Sequence, residues 1–297
     1  MTQNKSSRTI YLNGQFLPES EARMSAYDLG VMQAAAVFEM TSSFNGRHFK
    51  LAEHIERLRG SMLAIGMADP LPGTGWHALC DEVASRNDHG HGEEHRLLIM
   101  VSPGPAPMYR EIAGSGPTVL ITDFPLRYTT AGLGRQFEHG GTAIISSVQQ
   151  VPDACVPSRA KHRSRLHFHL AQEEAKRKGA DWAVLTQDIR DESYLAECPG
   201  ANIFFLSRGA LYTPENGCLM GISRAFVLDL ALAMDIEIIK TDVGTYGIPE
   251  RCEEVFVTGT PFCMLPIVKI GDHMIGDGTP GPVYKKLLDA WSNSVGV

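Results

Sequence analysis

Lys161 stands in a run, AKHRSRLHFHLAQ from Ala160 to Gln172, where a lysine has chemical possibilities. Arg159, His162, Arg163 and Arg165 surround it. Neighbouring cations and burial both favour a neutral amine, and a neutral amine is the nucleophile that condenses with an aldehyde. Most lysines are solvated surface residues. A cluster of positive charge at a helix start also opposes the helix dipole, a local misfit that points to function. Further on, Leu195–Leu206 reads LAECPGANIFFL and places Glu197 ahead of an apolar strand. Two corners follow, MGISRAF at Met220–Phe226 and VFVTGTP at Val255–Pro261. An amine for a Schiff base, a carboxylate for a pyridinium nitrogen and two amide-rich corners for a phosphate are the set that a pyridoxal phosphate site needs.

Each of these residues has an ordinary reading too. A carboxylate in a turn before a strand is common. Gly221-Ile222-Ser223 before a helix is an N-cap arrangement, since helix starts present free N–H groups and Ser is a favoured cap. Gly259-Thr260 alone is an ordinary strand end, and Arg57 in HIERLRGSM is by default a surface arginine. Taken together, two corners and one arginine make a phosphate cradle. The histidines His162, His167 and His169, and the loop set His89, His91 and His95, match no recognised ligand spacing, so no metal is expected.

The elements that must position these residues follow from periodicity and turn residues. Residues 9–18 alternate and turn at Asn13-Gly14, which predicts a hairpin, and Asn45-Gly46 predicts a second within 34–49. Leu51, Ile55, Leu58, Met62 and Ile65 fall on one face of a helix over 51–67, and 76–84 reads as another. Strands are expected over 96–102 and 118–122. The stretch 125–141, rich in Gly and Thr, reads as a connection. Beyond it come a strand over 142–147, a helix over 164–178, strands over 181–186 and 202–207, a helix over 223–234, a strand over 254–258 and a closing helix over 282–291. Strands and helices mix without a regular βαβ repeat, so the expected class is α+β. The expected division is an N-terminal domain over 1–124, a linker over 125–138 and a cofactor-binding domain over 139–297.

The bulk properties fit. A chain of 297 residues with 43% hydrophobic residues can build two cores. A formal charge of −7 argues against a dedicated nucleic-acid or anionic-membrane surface. No apolar run approaches a membrane span of about 20 residues. The start MTQNKSSRTIYLNG lacks the apolar core of a secretory signal. Six cysteines without CxxC spacing read as reduced thiols of a cytoplasmic protein.

The order and spacing of these motifs resemble the class IV aminotransferases, fold-type IV pyridoxal phosphate enzymes. These include branched-chain and D-amino-acid aminotransferases and aminodeoxychorismate lyases. The resemblance runs from YLNGQFLP through VFE and the HIERL helix to GDGTPGPVYKKLL. It implies a two-domain α+β fold with the cofactor at the domain boundary, and a homodimer whose sites are completed by the partner's N-terminal domain. It implies that Lys161 forms the Schiff base and shuttles the proton, that Glu197 faces the pyridinium, and that Leu219 packs on the ring. Arg57, Gly221, Ile222, Ser223, Gly259 and Thr260 are implied around the phosphate.

Substrate residues transfer less directly. Gln33-Ala34-Ala35-Ala36 replaces a glycine-rich stretch, and alanine lacks the φ freedom of glycine. Phe38 stands where D-amino-acid enzymes carry a tyrosine, and Met108 and Arg110 stand where they carry arginine and histidine. Thr260-Pro261 replaces a Thr-Ala pair, and proline has no N–H to donate. Arg110, Arg127 and Tyr128 are candidates for a replacement carboxylate site. The expected activity moves an amino group from an amino acid to a 2-oxo acid. The alternatives are pyruvate elimination by a lyase, since KHRSRL and ECPGANIF are shared with the lyases, and a non-catalytic scaffold.

Overall fold

A computed structural model describes residues 8–87, 89–90, 92–189, 191–245 and 252–297. His91 and residues 1–7 therefore lie outside the described residues. The chain forms two compact units, one of residues 1–129 with 160–164, the other of 130–159 with 165–297. The Lys161 segment thus belongs to the first unit, although its chain neighbours on both sides belong to the second.

The first unit is built on a six-stranded antiparallel sheet. Its strands are β1 (Thr9–Leu12), β2 (Gln15–Pro18), β3 (Val37–Phe44), β4 (Arg47–His48), β5 (His95–Ser102) and β6 (Thr118–Pro125), in the order β2-β1-β6-β5-β3-β4. Both predicted hairpin turns are present. Asn13 and Gly14 have φ of 49° and 91°, Asn45 and Gly46 of 50° and 70°, the paired left-handed conformations a tight two-residue turn requires. One face of the sheet carries Val37, Leu97, Ile99, Val101, Val119 and Ile121, which pack with Ile55, Leu58 and Met62 of the helix Leu51–Ala64 and with Trp76, Cys80 and Val83 of the helix Gly75–Arg86. Alternation sends Phe38, Met40 and Ser42 of β3 to the opposite face, paired in register with Met100, Leu98 and Arg96 of β5.

The second unit holds a ten-stranded mixed sheet. Its strands are β7 (Gly141–Gln149), β8 (Trp182–Ile189), β9 (Glu192–Leu195), β10 (Asn202–Ser207), β11 (Ala210–Pro214), β12 (Ile238–Thr241), β13 (Val243–Gly244), β14 (Glu254–Gly259), β15 (Cys263–Ile270) and β16 (His273–Met274). The order is β12-β11-β10-β14-β15-β7-β8-β9-β13, with β16 on β15. The central strands β10 and β14 are buried on both faces, which is why NIFFL and EVFVTG read as continuous apolar runs. The helices Leu166–Arg177, Ile222–Ala233 and Pro282–Val295 belong to this unit.

The expected α+β class holds. The strands β11, β12 and β15 were not expected, and β15 carries Pro266 in mid-strand, which reads as a breaker. The stretch expected as a plain connection contains two short helices, Arg127–Thr130 and Gly134–His139, and the chain passes from the first unit to the second after Thr129. Among the described residues, no helix is long and apolar enough to cross a membrane.

Candidate active site

In the first unit, the segment 160–164 is held against the start of β3 by its backbone. Phe38 N donates to Lys161 O at 3.0 Å, and Arg163 N donates to Ala36 O at 2.8 Å. Lys161 N donates to Ser61 Oγ at 3.0 Å, and Ser164 Oγ donates to Ala34 O at 3.2 Å. Val37 and His162 form an antiparallel bridge. With its main chain pinned on both sides, Lys161 carries its Nζ 4.8 Å from the centre of the Phe38 ring, and the Arg163 guanidinium lies 4.0 Å from the same ring. Phe38 is buried and forms an apolar floor beneath the Lys161 amine and the Arg163 guanidinium.

Ser61 comes from the helix Leu51–Ala64, which also presents His54 and Arg57 along one flank, the spacing that places side chains on one helical face. Glu39 of β3 meets them. Arg57 donates from Nε to Glu39 Oε1 at 2.6 Å and from a terminal nitrogen to Oε2 at 2.8 Å, and His54 Nδ1 lies 2.7 Å from Oε2. Burial opposes the Glu39 charge, but the Arg57 guanidinium, with help from the His54 bond, outweighs it and holds the carboxyl at about 2. Burial also lowers the basicity of His54, against the pull of Glu39.

In the second unit, the antiparallel register sets Asn202, the first residue of β10, beside Thr258 at the end of β14. That brings the lead-in to β10 and the Gly259-Thr260 corner to one end of the sheet. Glu197 is buried there, with Oε1 accepting from Gln150 Nε2 at 2.8 Å and Oε2 from Leu219 N at 3.2 Å. Burial lowers the basicity of Arg165, against the pull of the Glu197 charge. Asn202 Nδ2 donates to Leu219 O at 2.8 Å and ties the Leu219–Ser223 stretch to the sheet. Gly221 is needed there, since a Cβ on it would lie 2.0 Å from Asn202 Oδ1.

Gly221 is extended, with φ −66° and ψ 137°, and caps the helix Ile222–Ala233 without a side-chain hydrogen bond. The hydroxyls of Ser223 and Thr258 are buried without a hydrogen-bond partner among the described residues. An uncapped helix start, two unsatisfied hydroxyls and a glycine that admits no side chain suit an anionic oxygen ligand such as a phosphate.

The second unit therefore gathers Glu197, Leu219, Gly221, Ile222, Ser223, Gly259 and Thr260, while Lys161, Phe38 and Arg57 lie in the first. Three candidate substrate residues stand elsewhere on the first unit. Arg110 is exposed on the short helix Arg110–Ala113. Arg127 pairs with Glu93 and stacks on the exposed Tyr128 ring, 5.3 Å away. Pro261, in the second unit, is half-buried beyond Thr260. Sequence reading passed over Gln150, Asn202, Thr258, His54 and Ser61. Asn202 was visible as the polar opening of an apolar strand; Gln150 carries no comparable signal.

Residues 36–270 match the family model described as amino-transferase class IV. Over 287 residues the chain is 29% identical to a Methanocaldococcus jannaschii protein assigned as a branched-chain-amino-acid aminotransferase, covering 96% of this chain and 95% of the relative. It is 25% identical to a D-alanine aminotransferase of Listeria innocua, with 94% and 93% covered. A crystal structure of the T.th. branched-chain amino acid aminotransferase, complexed with N-(5'-phosphopyridoxyl)-L-glutamate, superposes with a TM-score of 0.85 at 26% identity, covering 97% of this chain and 94% of that one. The match to the family model spans most of the sequence and the fold agrees over nearly all of it, so the chain belongs to the class IV aminotransferases and is an enzyme of fold type IV.

Proposed function

We propose how labour is divided among residues in an enzyme whose reaction class is established: the chain is a pyridoxal-phosphate-dependent aminotransferase that moves an amino group from an amino acid to a 2-oxo acid. When bound, the cofactor supplies a carbonyl that carries the amino group and a ring that withdraws electrons from the substrate α-carbon. Lys161 is the amine that holds that carbonyl and then moves the α-proton. Glu197 keeps the ring nitrogen protonated, and its own oxygens are fixed by Gln150 and Leu219 N. Leu219 packs against the ring. Gly221, Ile222, Ser223, Gly259 and Thr260 are the phosphate contacts proposed in the second unit, and Arg57, whose guanidinium is oriented by Glu39, is the one proposed in the first. The observation that carries this reading is the pinned backbone of Lys161, held to the start of β3 and to Ser61 so that its amine lies over the Phe38 ring.

The face of the first sheet that carries Phe38 continues through Met40, Leu98 and Met100 and ends at Arg96. Arg96 is buried, donates to Ser42 Oγ at 3.0 Å and leaves Nε without a partner among the described residues, and burial lowers its guanidinium to about 10. An apolar floor with a cation at one end supports amino acids with aliphatic side chains, and a distal carboxylate such as that of glutamate in the second half-reaction. The names of the relatives, for branched-chain substrates and D-alanine, are compatible with an apolar side chain. Pyruvate elimination from aminodeoxychorismate is not favoured, because these relatives are aminotransferases.

We also propose a cytoplasmic location, since all six cysteines are free thiols, as a reducing compartment leaves them, and a homodimer, as the resemblance to the class IV enzymes implies. Borohydride reduction and peptide mapping test the central assignment. The cofactor label is expected on Lys161, and a label on another lysine overturns it. Half-reactions with a panel of amino acids then read the substrate class. Arg96→Ala is expected to lower turnover of glutamate more than that of aliphatic amino acids, and equal losses refute the role given to Arg96.

A further inference from the structure

The first unit contains a second constellation that shares no residue with the reaction described above. Asp123, on β6, has no exposed surface. Its Oδ2 receives two imidazoles, His89 Nε2 at 2.8 Å and His95 Nδ1 at 2.6 Å. Its Oδ1 is buried without a partner among the described residues. His95 opens β5, and the register pairs Leu97 with Asp123, so His95 and Asp123 project from the same face of neighbouring strands. His89 reaches them from the loop after the helix Gly75–Arg86. One donor atom from each residue lies within 4.8 Å of the others. The His48 ring packs edge-on to His95 with centroids 6.4 Å apart, and its Nε2 is also buried and unpartnered among the described residues.

A buried carboxylate that crowds two histidines onto one oxygen and leaves the other bare is poorly satisfied by the protein alone. A cation at the common point of the three donors would satisfy it. We propose that His89, His95 and Asp123 bind a divalent transition-metal ion of the zinc class. Two imidazole nitrogens and one carboxylate oxygen suit zinc and its neighbours, whereas magnesium and calcium favour all-oxygen sets. Tetrahedral zinc at about 2.0–2.2 Å from each ligand sets its donors roughly 3.3 Å apart, so each imidazole nitrogen backs away from Oδ2, now at 2.8 and 2.6 Å, by about 0.5–0.7 Å as the three donors, within 4.8 Å of one another, arrange around the ion. Each ring proton that now points at Asp123 moves to the other nitrogen of its ring. His95, 22% exposed, opens the site towards solvent, from which a water completes the coordination. The site clamps the loop carrying His89 to the end of the sheet. Chain spacing concealed it, because the carboxylate comes from a strand brought alongside only by folding.

The test uses the holoenzyme, dialysed against a chelator and titrated with zinc chloride, with metal analysis after gel filtration. About one retained ion per chain is expected, with a rise in Tm as the ion adds its binding free energy to the folded state. Cobalt substituted for zinc is expected to show ligand-field bands without thiolate charge transfer, which separates this site from the free cysteines. His89→Ala and His95→Ala are each expected to weaken binding at least about tenfold, with folded circular dichroism and unchanged metal-free transaminase activity. No retained ion, wild-type retention in both variants, or a thiolate signature overturns the proposal.

Discussion

Glu39 shows how a single residue ties stability to the site. Its carboxyl lies at about 2 in the folded protein, below its ordinary 4.5, because Arg57 and His54 outweigh the cost of burial. A depressed acid stabilises the fold above the unfolded value and loses that contribution as pH falls through the folded one. The window is therefore pH 4.5 down to about 2, and the contribution is roughly 3 kcal/mol. Buried His54 has its basicity lowered too, so its contribution fades as pH falls below 6.5. Thermal melts across pH 7 to 2 should show Tm falling slowly at first and steeply below 4.5. Glu39→Gln should flatten the lower part and destabilise by about 3 kcal/mol at pH 7, since it strands a largely buried guanidinium. Glu197→Gln is expected to keep the fold and slow the half-reaction by about 100-fold or more; unchanged kinetics would make that carboxylate structural. Lys161 and Glu197 could be singled out as candidates in the sequence because an unusual residue type preceded a regular element. The support around them could not, because Gln150 and Ser61 act through contacts that no local pattern encodes.

At the scale of elements, turns and amphipathic helices were readable and their edges less so. Asn-Gly turns force one backbone geometry, and the stripe of Ile55, Leu58 and Met62 requires a helix with a core beneath it. The edge strand β12 is held by parallel pairing with β11, from which the helix Ile222–Ala233 separates it in sequence, so local preference says little about it. Ala34 adopts a left-handed conformation, φ 52°, which costs a non-glycine residue about 1 kcal/mol. Ala34→Gly is therefore expected to raise stability by up to about 1 kcal/mol in urea unfolding, with no change in m. Gly221→Ala carries the opposite sign. Its Cβ would collide with the Asn202 amide, and the loop that holds Leu219 must shift. A loss of about 1–3 kcal/mol is expected, with weaker cofactor retention on dialysis.

For the molecule as a whole, composition and motif order were enough for class and family, because both are properties of the entire chain. The membership of residues 160–164 in the first unit was not legible, since it depends on which backbone groups they find in space. The chain consequently passes between units three times, after Thr129, Arg159 and Ser164. A gene crossover at position 129 would deliver Lys161 from one parent and its docking strand from the other. Hybrids of this enzyme with a distant homologue should thus tolerate that junction only when the short lysine segment is inherited together with β3 and the helix bearing Ser61. Two halves drawn at a single splice point cannot evolve as independent modules.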